Sequence, residues 1–462
     1  MPNFTQRHPT DDWDYTNCER KGGRWRTRRS LLPLYTATSG SEIVFAQSYV
    51  PSFVDSLQTI ILERSFTSGE VDLVCLDENY GEMWRRDYLC AVRPRSVRFI
   101  ELGARIILAS PDFATLIGYS GGELWEATKG ATYDPRAVAL EIPRGIAVAS
   151  FGRLAIADDD IIHWADPLRP TAFTTNNELN PPGGSIRGME IDGAGNLVII
   201  TTDGSWSVPR SAGFKLDVRG ILTRLDEHGV HGWDQTTSWG GGVFALDPGE
   251  GLRQVGVGTK LKIGHFQGAS GTLSSNHFRA PDSGESSRVS SSPGFGMMVR
   301  GGGGTWFSLG GGKGSWWTHT AVIEGVIGGV NGAPVVWARD GLHALGGRHG
   351  VTGGYSGRVN KPIDTSPKAR SVHVGAAAGG VSCTVRTDAK GPATKTLSSR
   401  RTIPLLWGTG YIPSGSSGSQ QFNLNERGDE VLLEVAFASG DVELADQVAI
   451  EWVPIGDDRD GP

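Results

Sequence analysis

GNLVIITTDGSW, residues 195–206, has two relatives in the same chain: GRLAIADDDII at 152–162 and GAPVVWARDGLHAL at 332–345. With the leading glycines superposed, an aspartate falls eight positions later in all three, at Asp203, Asp160 and Asp340. Each unit reads as an apolar strand of four or five residues, a turn, and a second strand. Asp-Gly at 203–204 and 340–341 is a strong hairpin signal, because the φ > 0 positions of a tight turn suit Gly, Asn and Asp. Looser copies begin at Gly103 (GARIILASPDFATL), Gly240 (GGGVFALDPGEGL) and Gly294 (GFGMMVRGGGGTWFSL). Successive leading glycines lie 49, 43, 45, 54 and 38 residues apart. A period of about 45 residues built from hairpins is that of a propeller blade of four short strands. An earlier blade is read in SLQTIILERSFTSGEVDLVCLDENYGEMWRRDY, residues 56–88. The expectation is an all-β chain whose residues 31–360 form a β-propeller of six or seven blades. A β-sandwich array would also give short strands, but it would not impose a blade-length period.

Composition agrees. Glycine supplies 66 of 462 residues, twice the usual ~7%, and it is permissive in turns and costly inside helices. Fourteen Trp and many Val, Ile and Thr runs suit short strands. No amphipathic helix of twelve or more residues is expected. Net charge is −6, so nothing globally basic announces a nucleic-acid binder. The four cysteines, Cys18, Cys75, Cys90 and Cys383, match no zinc or CxxC spacing and are read as reduced. The polar opening MPNFTQRHPTDDWDY has no apolar signal-peptide core. No run of about 18 apolar residues exists to span a membrane. Folding in a cytoplasm is the expectation.

The period breaks in places. Residues 270–294 are rich in Ser, Gly and Pro and read as a long loop or insertion; 301–320 read as a similar loop studded with Trp306, Trp316 and Trp317. RHGVTGGYSGRVNKPIDTSPKAR, 348–370, reads as a linker. From about residue 370 the strands lengthen and alternate. The domain reading is an N-terminal arm over 1–30, the propeller over 31–360, and a small antiparallel β module, a sandwich or platform, over 361–462.

The aspartates Asp158, Asp159 and Asp160 invite a catalytic or metal reading. Adjacent strand residues point to opposite faces, so three in a row do not converge, and the repeat places Asp160 at a turn, where Asp is favoured. His163 and His343 fall eleven after their leading glycines, where Trp206 stands in the third copy. A position that takes His or Trp reads as packing. GGGKGS at 310–315 lacks the strand–helix context of a phosphate loop. TTDGSW is only a partial match to a sialidase-type Asp-box, with no residue between Asp203 and Gly204. No catalytic residue, cofactor or metal is expected. Two basic segments stand out. One carries Arg20, Lys21, Arg24, Arg26, Arg28 and Arg29, the other Arg85, Arg86, Arg93, Arg95 and Arg98. They read as solvated faces, as a docking surface for an acidic partner, or as a local DNA-facing patch.

Residues 161–208 also look like a segment recurrent in phage tail proteins. The features are an aromatic strand end at Trp164, the turn Asp166, Pro167, Pro170 and Phe173, a turn near Gly188, and a strand ending near Trp206. The stretch TNCERKGGRWRTRRSLLPLY resembles the start of such chains. The resemblance is to the tail nozzle or tail hub β-propellers of short-tailed double-stranded DNA bacteriophages. It implies a non-enzymatic virion protein, assembled in the host cytoplasm as a ring, commonly a hexamer, below the portal and adaptor. Such a ring closes the DNA channel and opens on ejection, with only non-specific contact to passing DNA. Trp306, Trp316 and Trp317 are then candidates for subunit contact, since aromatics anchor interfaces. The competing expectation is a carbohydrate-binding or carbohydrate-cleaving propeller that recognises a receptor.

Overall fold

The computed structural model describes residues 4–9, 14–16, 18–21, 24–27, 29–51, 56–102, 105–112, 117–120, 123–126, 143–166, 169–210, 222–247, 251–256, 288–292, 296–301, 304–308, 316–319, 321–330, 333–350, 353–360, 367–377, 381–387, 395–398, 402–404, 418–427, 430–437 and 443–454. The chain opens with β1 (Phe4–Pro9), β2 (Asp14–Thr16), β3 (Cys18–Lys21), β4 (Arg24–Thr27) and β5 (Arg29–Thr36). A four-stranded antiparallel sheet follows, β6 (Ser41–Tyr49), β7 (Gln58–Ser65), β8 (Val71–Leu76) and β9 (Glu82–Cys90). The next is β10 (Arg98–Leu102), β11 (Arg105–Ala109), β12 (Ile117–Ser120) and β13 (Glu123–Glu126). Then come β14 (Ile146–Ser150), β15 (Arg153–Asp158), β16 (Ile161–Asp166) and β17 (Arg169–Leu179). After these stand β18 (Ile186–Ile191), β19 (Leu197–Thr201), β20 (Ser205–Val208) and β21 (Thr223–Asp226). A three-stranded sheet holds β22 (Thr236–Trp239), β23 (Gly242–Asp247) and β24 (Gly251–Gln254). The strands β25 (Arg288–Ser292), β26 (Gly296–Gly301), β27 (Gly304–Ser308) and β28 (Trp316–His319) pair in order at one end of a larger sheet. Finally β29 (Gly325–Val330), β30 (Ala333–Ala338) and β31 (Gly341–Gly350) make a sheet whose fourth strand is β5.

The repeat found in the sequence is the wiring of these sheets. Leading glycines Gly152, Gly195 and Gly240 sit at φ +75°, +82° and +58° in turns between first and second strands. Phe151 shares positive φ with Gly152, as a two-residue turn with both central residues at φ > 0 demands. Asp160, Asp203 and Asp340 fall in turns between second and third strands.

Second strands read as apolar runs because each is covered on both faces. Leu197 and Ile199 pack with Ala155, Ala157 and Trp164 of the preceding sheet, while Val198 and Ile200 pack with Val243 and Ala245 of the following one. The same period of two sends Leu154 and Ile156 to meet Ile107 and Ala109. Met297 and Val299 meet Phe244 and Leu246, whereas Met298 faces Val336. Ile60 and Leu62 join Ile106 and Leu108. Ile43, Ile61 and Val74 join Val335, Trp337 and Leu342, which ties the last sheet to the first. Apolar layers therefore run between neighbouring sheets around a closed ring, and the protein is an all-β β-propeller. Trp164 and Phe173 are 1% and 0% exposed, and burying a side chain of this size contributes about 3 kcal/mol. The ring is fastened by β5, which pairs antiparallel with β31. Pro33 lies in β5, an edge strand, where a missing N–H is tolerated.

The remaining strands are β32 (Gly353–Asn360), β33 (Pro367–Ala377), β34 (Val381–Thr387), β35 (Lys395–Ser398), β36 (Thr402–Pro404), β37 (Gly418–Arg427), β38 (Glu430–Phe437) and β39 (Glu443–Pro454). They are woven together with the N-terminal strands. One sheet runs β3-β4-β39-β33-β37-β36, with β1 also on β39. The other runs β25-β26-β27-β28-β2-β32-β38-β34-β35, so it starts in the propeller and ends in the terminal strands. The segment read as an arm, 1–30, thus supplies β1–β4 to these sheets. Part of the stretch read as a linker is a strand, because β32 pairs along its whole length with the apolar strand β38, Gly353 to Phe437 through Asn360 to Glu430. Glycine marked it as punctuation in the sequence, but partner bonding overrides that preference. Within the stretch read as a loop over 270–294, Arg288–Ser292 is the first strand of its sheet.

Candidate functional site

The residues expected to matter are placed as follows. Arg24 and Arg26 lie on β4, Arg29 begins β5, and Arg28 lies outside the described residues. Trp306 is in β27, and Trp316 and Trp317 open β28. The loop reading of these tryptophans is corrected: they pair in register, Trp306 with Val299 and Thr318, Trp317 with Phe307, and Trp316 with Ser308. Aromatic and β-branched residues favour strands, and the glycine runs masked that preference. GGGKGS at 310–315 lies outside the described residues.

Of the three aspartates, Asp158 ends β15, and Asp159 (φ +54°) and Asp160 form the turn to β16. The Asp159 carbonyl accepts a 2.7 Å bond from Ile186 N, and Asn180 Nδ2 lies 3.2 Å from the Asp160 carboxylate. His163 Nδ1 lies 3.3 Å from Glu178, and His343 Nε2 lies 3.1 Å from Asp340. Among the described residues no three His, Cys, Asp or Glu side chains converge for a metal ion. No helix of the described residues is long and apolar enough to cross a membrane.

A charged cluster lies where the first strands begin. Arg98 heads β10, Arg187 lies in β18, Thr236 heads β22, Arg288 heads β25 and Glu324 immediately precedes β29. Arg98 Nη2 reaches past β14 to Glu190 of β18 at 2.8 Å and to Thr236 Oγ1 at 3.1 Å. The Thr236 hydroxyl donates to Glu190 at 2.9 Å. One side chain thus spans the axis. On the other side Glu324, with a side chain 0% exposed, pairs with Arg300 and, at 3.0 Å, with Arg339 Nε, while Arg288 Nη1 stands 3.8 Å away. Glu42 faces Arg64 at 3.3 Å and both Arg93 and Arg339 at 3.7 Å. Two guanidiniums stand over the Trp233 ring, Arg187 at 4.5 Å and Arg95 at 5.3 Å from its centre, and Arg95 is itself held by Asp112 at 2.8 Å.

Burial tends to push the Glu324 carboxyl up, but Arg288, Arg300 and Arg339 outweigh it and hold the group below the usual carboxylate range. Arg93 moves the other way: burial lowers it, Glu42 opposes, and Arg288 adds repulsion. The cluster therefore keeps Glu324 ionised. Its guanidiniums are donors of the kind that an anion accepts from. The second basic segment of the sequence did contribute, through Arg93, Arg95 and Arg98. Arg288, Glu42, Glu190 and Glu324 were missed. For Arg288 the signal was an arginine recurring at or next to the start of first strands, as in RFIEL, RGIAVAS, RGMEI and RVSSS; the three glutamates carried none.

The residues that carried the phage-tail resemblance are packing residues: Trp164 and Phe173 are buried. Asp166 receives a 3.1 Å bond from Asn177. Gly188 faces Thr236 so closely that a Cβ would stand 2.4 Å from Thr236 Cγ2.

No family model matches the chain, and no curated protein matches it. Solved structures resemble it distantly. PorZ, a surface component of the type-IX secretion system of Porphyromonas gingivalis, aligns with TM-score 0.39 and 12% identity over 67% of this chain and 38% of that one. The extracellular domain of a hybrid two-component system from B. thetaiotaomicron gives TM-score 0.43 and 9% identity, over 80% and 54%. Sqt1 from Chaetomium thermophilum gives TM-score 0.37 and 11% identity, over 66% and 83%. The chain thus spans 38% and 54% of the lengths of the first two. Such likeness carries no functional argument.

Proposed function

We propose that the chain is a structural, non-enzymatic protein of a short-tailed phage, a tail nozzle or hub subunit that works as a ring of copies, six being the expected number. In this reading the ring stands in the virion tail beneath the portal and adaptor, surrounds the DNA channel and governs genome retention and ejection. Assembly takes place in the host cytoplasm. The propeller itself is read as seven blades, the three-stranded β22–β24 and the run β25–β28 counting beside the five four-stranded sheets.

The observation that carries the reading is the nine-stranded sheet joining a propeller sheet to the terminal strands. The link is β2, with Thr16 opposite Thr318 on one side and Gly354 on the other. Backbone pairing transmits load with less give than a flexible linker, which suits a part that must hold its place while DNA moves past. The Arg98–Glu190–Thr236 bridge supports a channel between copies rather than through the propeller axis. A head-to-tail interface closes into a ring by rotation, and a net charge of −6 spares passing DNA a strongly attractive wall.

Light scattering on the full chain, alone and mixed with a portal–adaptor complex, tests the reading. A six-copy mass in either condition is expected, and its loss in Trp316→Ala/Trp317→Ala. A single-copy mass in both conditions would overturn it. Thr16→Pro, which removes the β2 donor, should abolish the ring while leaving the propeller folded by circular dichroism.

A further inference from the structure

We propose that the axial cavity binds a small polyhydroxylated anion, of the kind of a sugar acid or a sugar phosphate. The cavity holds about 180 Å³, against the ~15 Å³ that a single water requires. Two arginines line it with unused donors: Arg98 Nε and Arg288 Nε are both buried and have no hydrogen-bond partner among the described residues. Arg288 is held without being saturated. Its guanidinium stands 3.4 Å from Asp234 and 3.8 Å from Glu324, beyond the ~2.8 Å of a charge-assisted hydrogen bond.

Arg98 and Arg288 line the cavity together with Asp234 and Glu324. Arg64, Arg93, Arg98, Arg288, Arg300 and Arg339 meet Glu42, Glu190, Asp234 and Glu324. Glu324 is engaged by Arg300 and Arg339, and Glu190 by Arg98 and Thr236. Arg288 is left as the guanidinium with the most capacity, and its planar fork matches a carboxylate or phosphate.

A bare inorganic anion would leave the rest of the wall unused. Gln47, Thr237 and Ser290 line the cavity as polar residues, and Phe99 and Trp337 line it as aromatic ones. Arg288 lies 5.7 Å over the Trp337 ring, which fixes the fork from behind. An oxyanion fork beside hydroxyl-matching groups and ring faces fits a sugar bearing one negative group better than phosphate alone or a neutral sugar. The site is independent of the assembly reading: it needs one copy and one cavity.

Titration calorimetry on the full chain tests it, with D-glucuronate, glucose 6-phosphate, glucose and inorganic phosphate as probes. At least one sugar anion is expected to bind with one-to-one stoichiometry and at least ten-fold more tightly than glucose and inorganic phosphate. The tighter of the two identifies the anionic group. Arg288→Gln should weaken that binding at least ten-fold. Gln47→Leu, remote from the ion pairs, should weaken it at least three-fold with an unchanged melting temperature. It decides the matter if Arg288→Gln fails to fold. Saturable heat with neither sugar anion, equal affinity for glucose or for inorganic phosphate, or parental affinity in Gln47→Leu would overturn the proposal.

Discussion

Two kinds of buried surface lie side by side in this propeller. Between the sheets the surface is apolar and repeats: Trp164 at 1% exposure stands for many similar side chains. At the axis it is charged and does not repeat: Glu324, equally buried, is held by three arginines from two sheets. Apolar layers gain stability roughly in proportion to area removed from water. A buried ion cluster gains little net, because desolvation offsets attraction. The ring thus has interlayers that stabilise it and an axial cluster that costs stability unless it does something else. That contrast is why the cluster is the candidate site.

The contrast can be broken most sharply at Trp164. Trp164→Ala is expected to cost about 4 kcal/mol in denaturant unfolding, through lost transfer energy and the cavity left behind. A cost below about 1 kcal/mol would mean the interlayer is not close-packed. Glu324→Gln comes next, at about 3 kcal/mol, because it strands neighbouring guanidiniums without a counter-charge. Its pH dependence has a definite sign. The folded carboxyl is held below its ordinary value, so its contribution is present above about pH 4.3 and fades as pH falls through the lowered folded value. The gap between parent and Glu324→Gln should therefore shrink in acid; a gap that widens there contradicts the pairing. Gly188→Ala should cost about 2 kcal/mol as overpacking, since the new methyl meets Thr236 where apolar layer and axis adjoin. Cys75 gives the smallest effect. Burial, opposed by a hydrogen bond from Tyr49, pushes its thiol up to about 12, so it stays protonated at pH 8. Mass spectrometry after thiol alkylation should find Cys75 unmodified in the native protein and modified in denaturant.

Much of the ring was legible in the sequence. Leading glycines with positive φ and turn aspartates eight residues on are local signals, and the apolar runs between them follow from burial on both faces. Asp160 stands in the turn where its repeat placed it. The axial site was not legible, because Glu42, Arg98, Glu190, Asp234, Arg288 and Glu324 come together only when the ring closes. Each reads alone as a solvated charge. The terminal strands were misjudged for a related reason. β2 and β32 are short or glycine-rich, and only their distant partners make them strands. The loop reading of Trp306, Trp316 and Trp317 failed where glycine composition outweighed the tryptophans' strand preference.

The central claim is that this propeller, tied by β2 into its terminal strands, works as one unit of a closed ring of copies. Negative-stain electron microscopy of the full chain, alone and with a portal–adaptor complex, tests it most directly. The account predicts sixfold rings with a central opening, at least in the mixed sample. Single discs in both samples would contradict it.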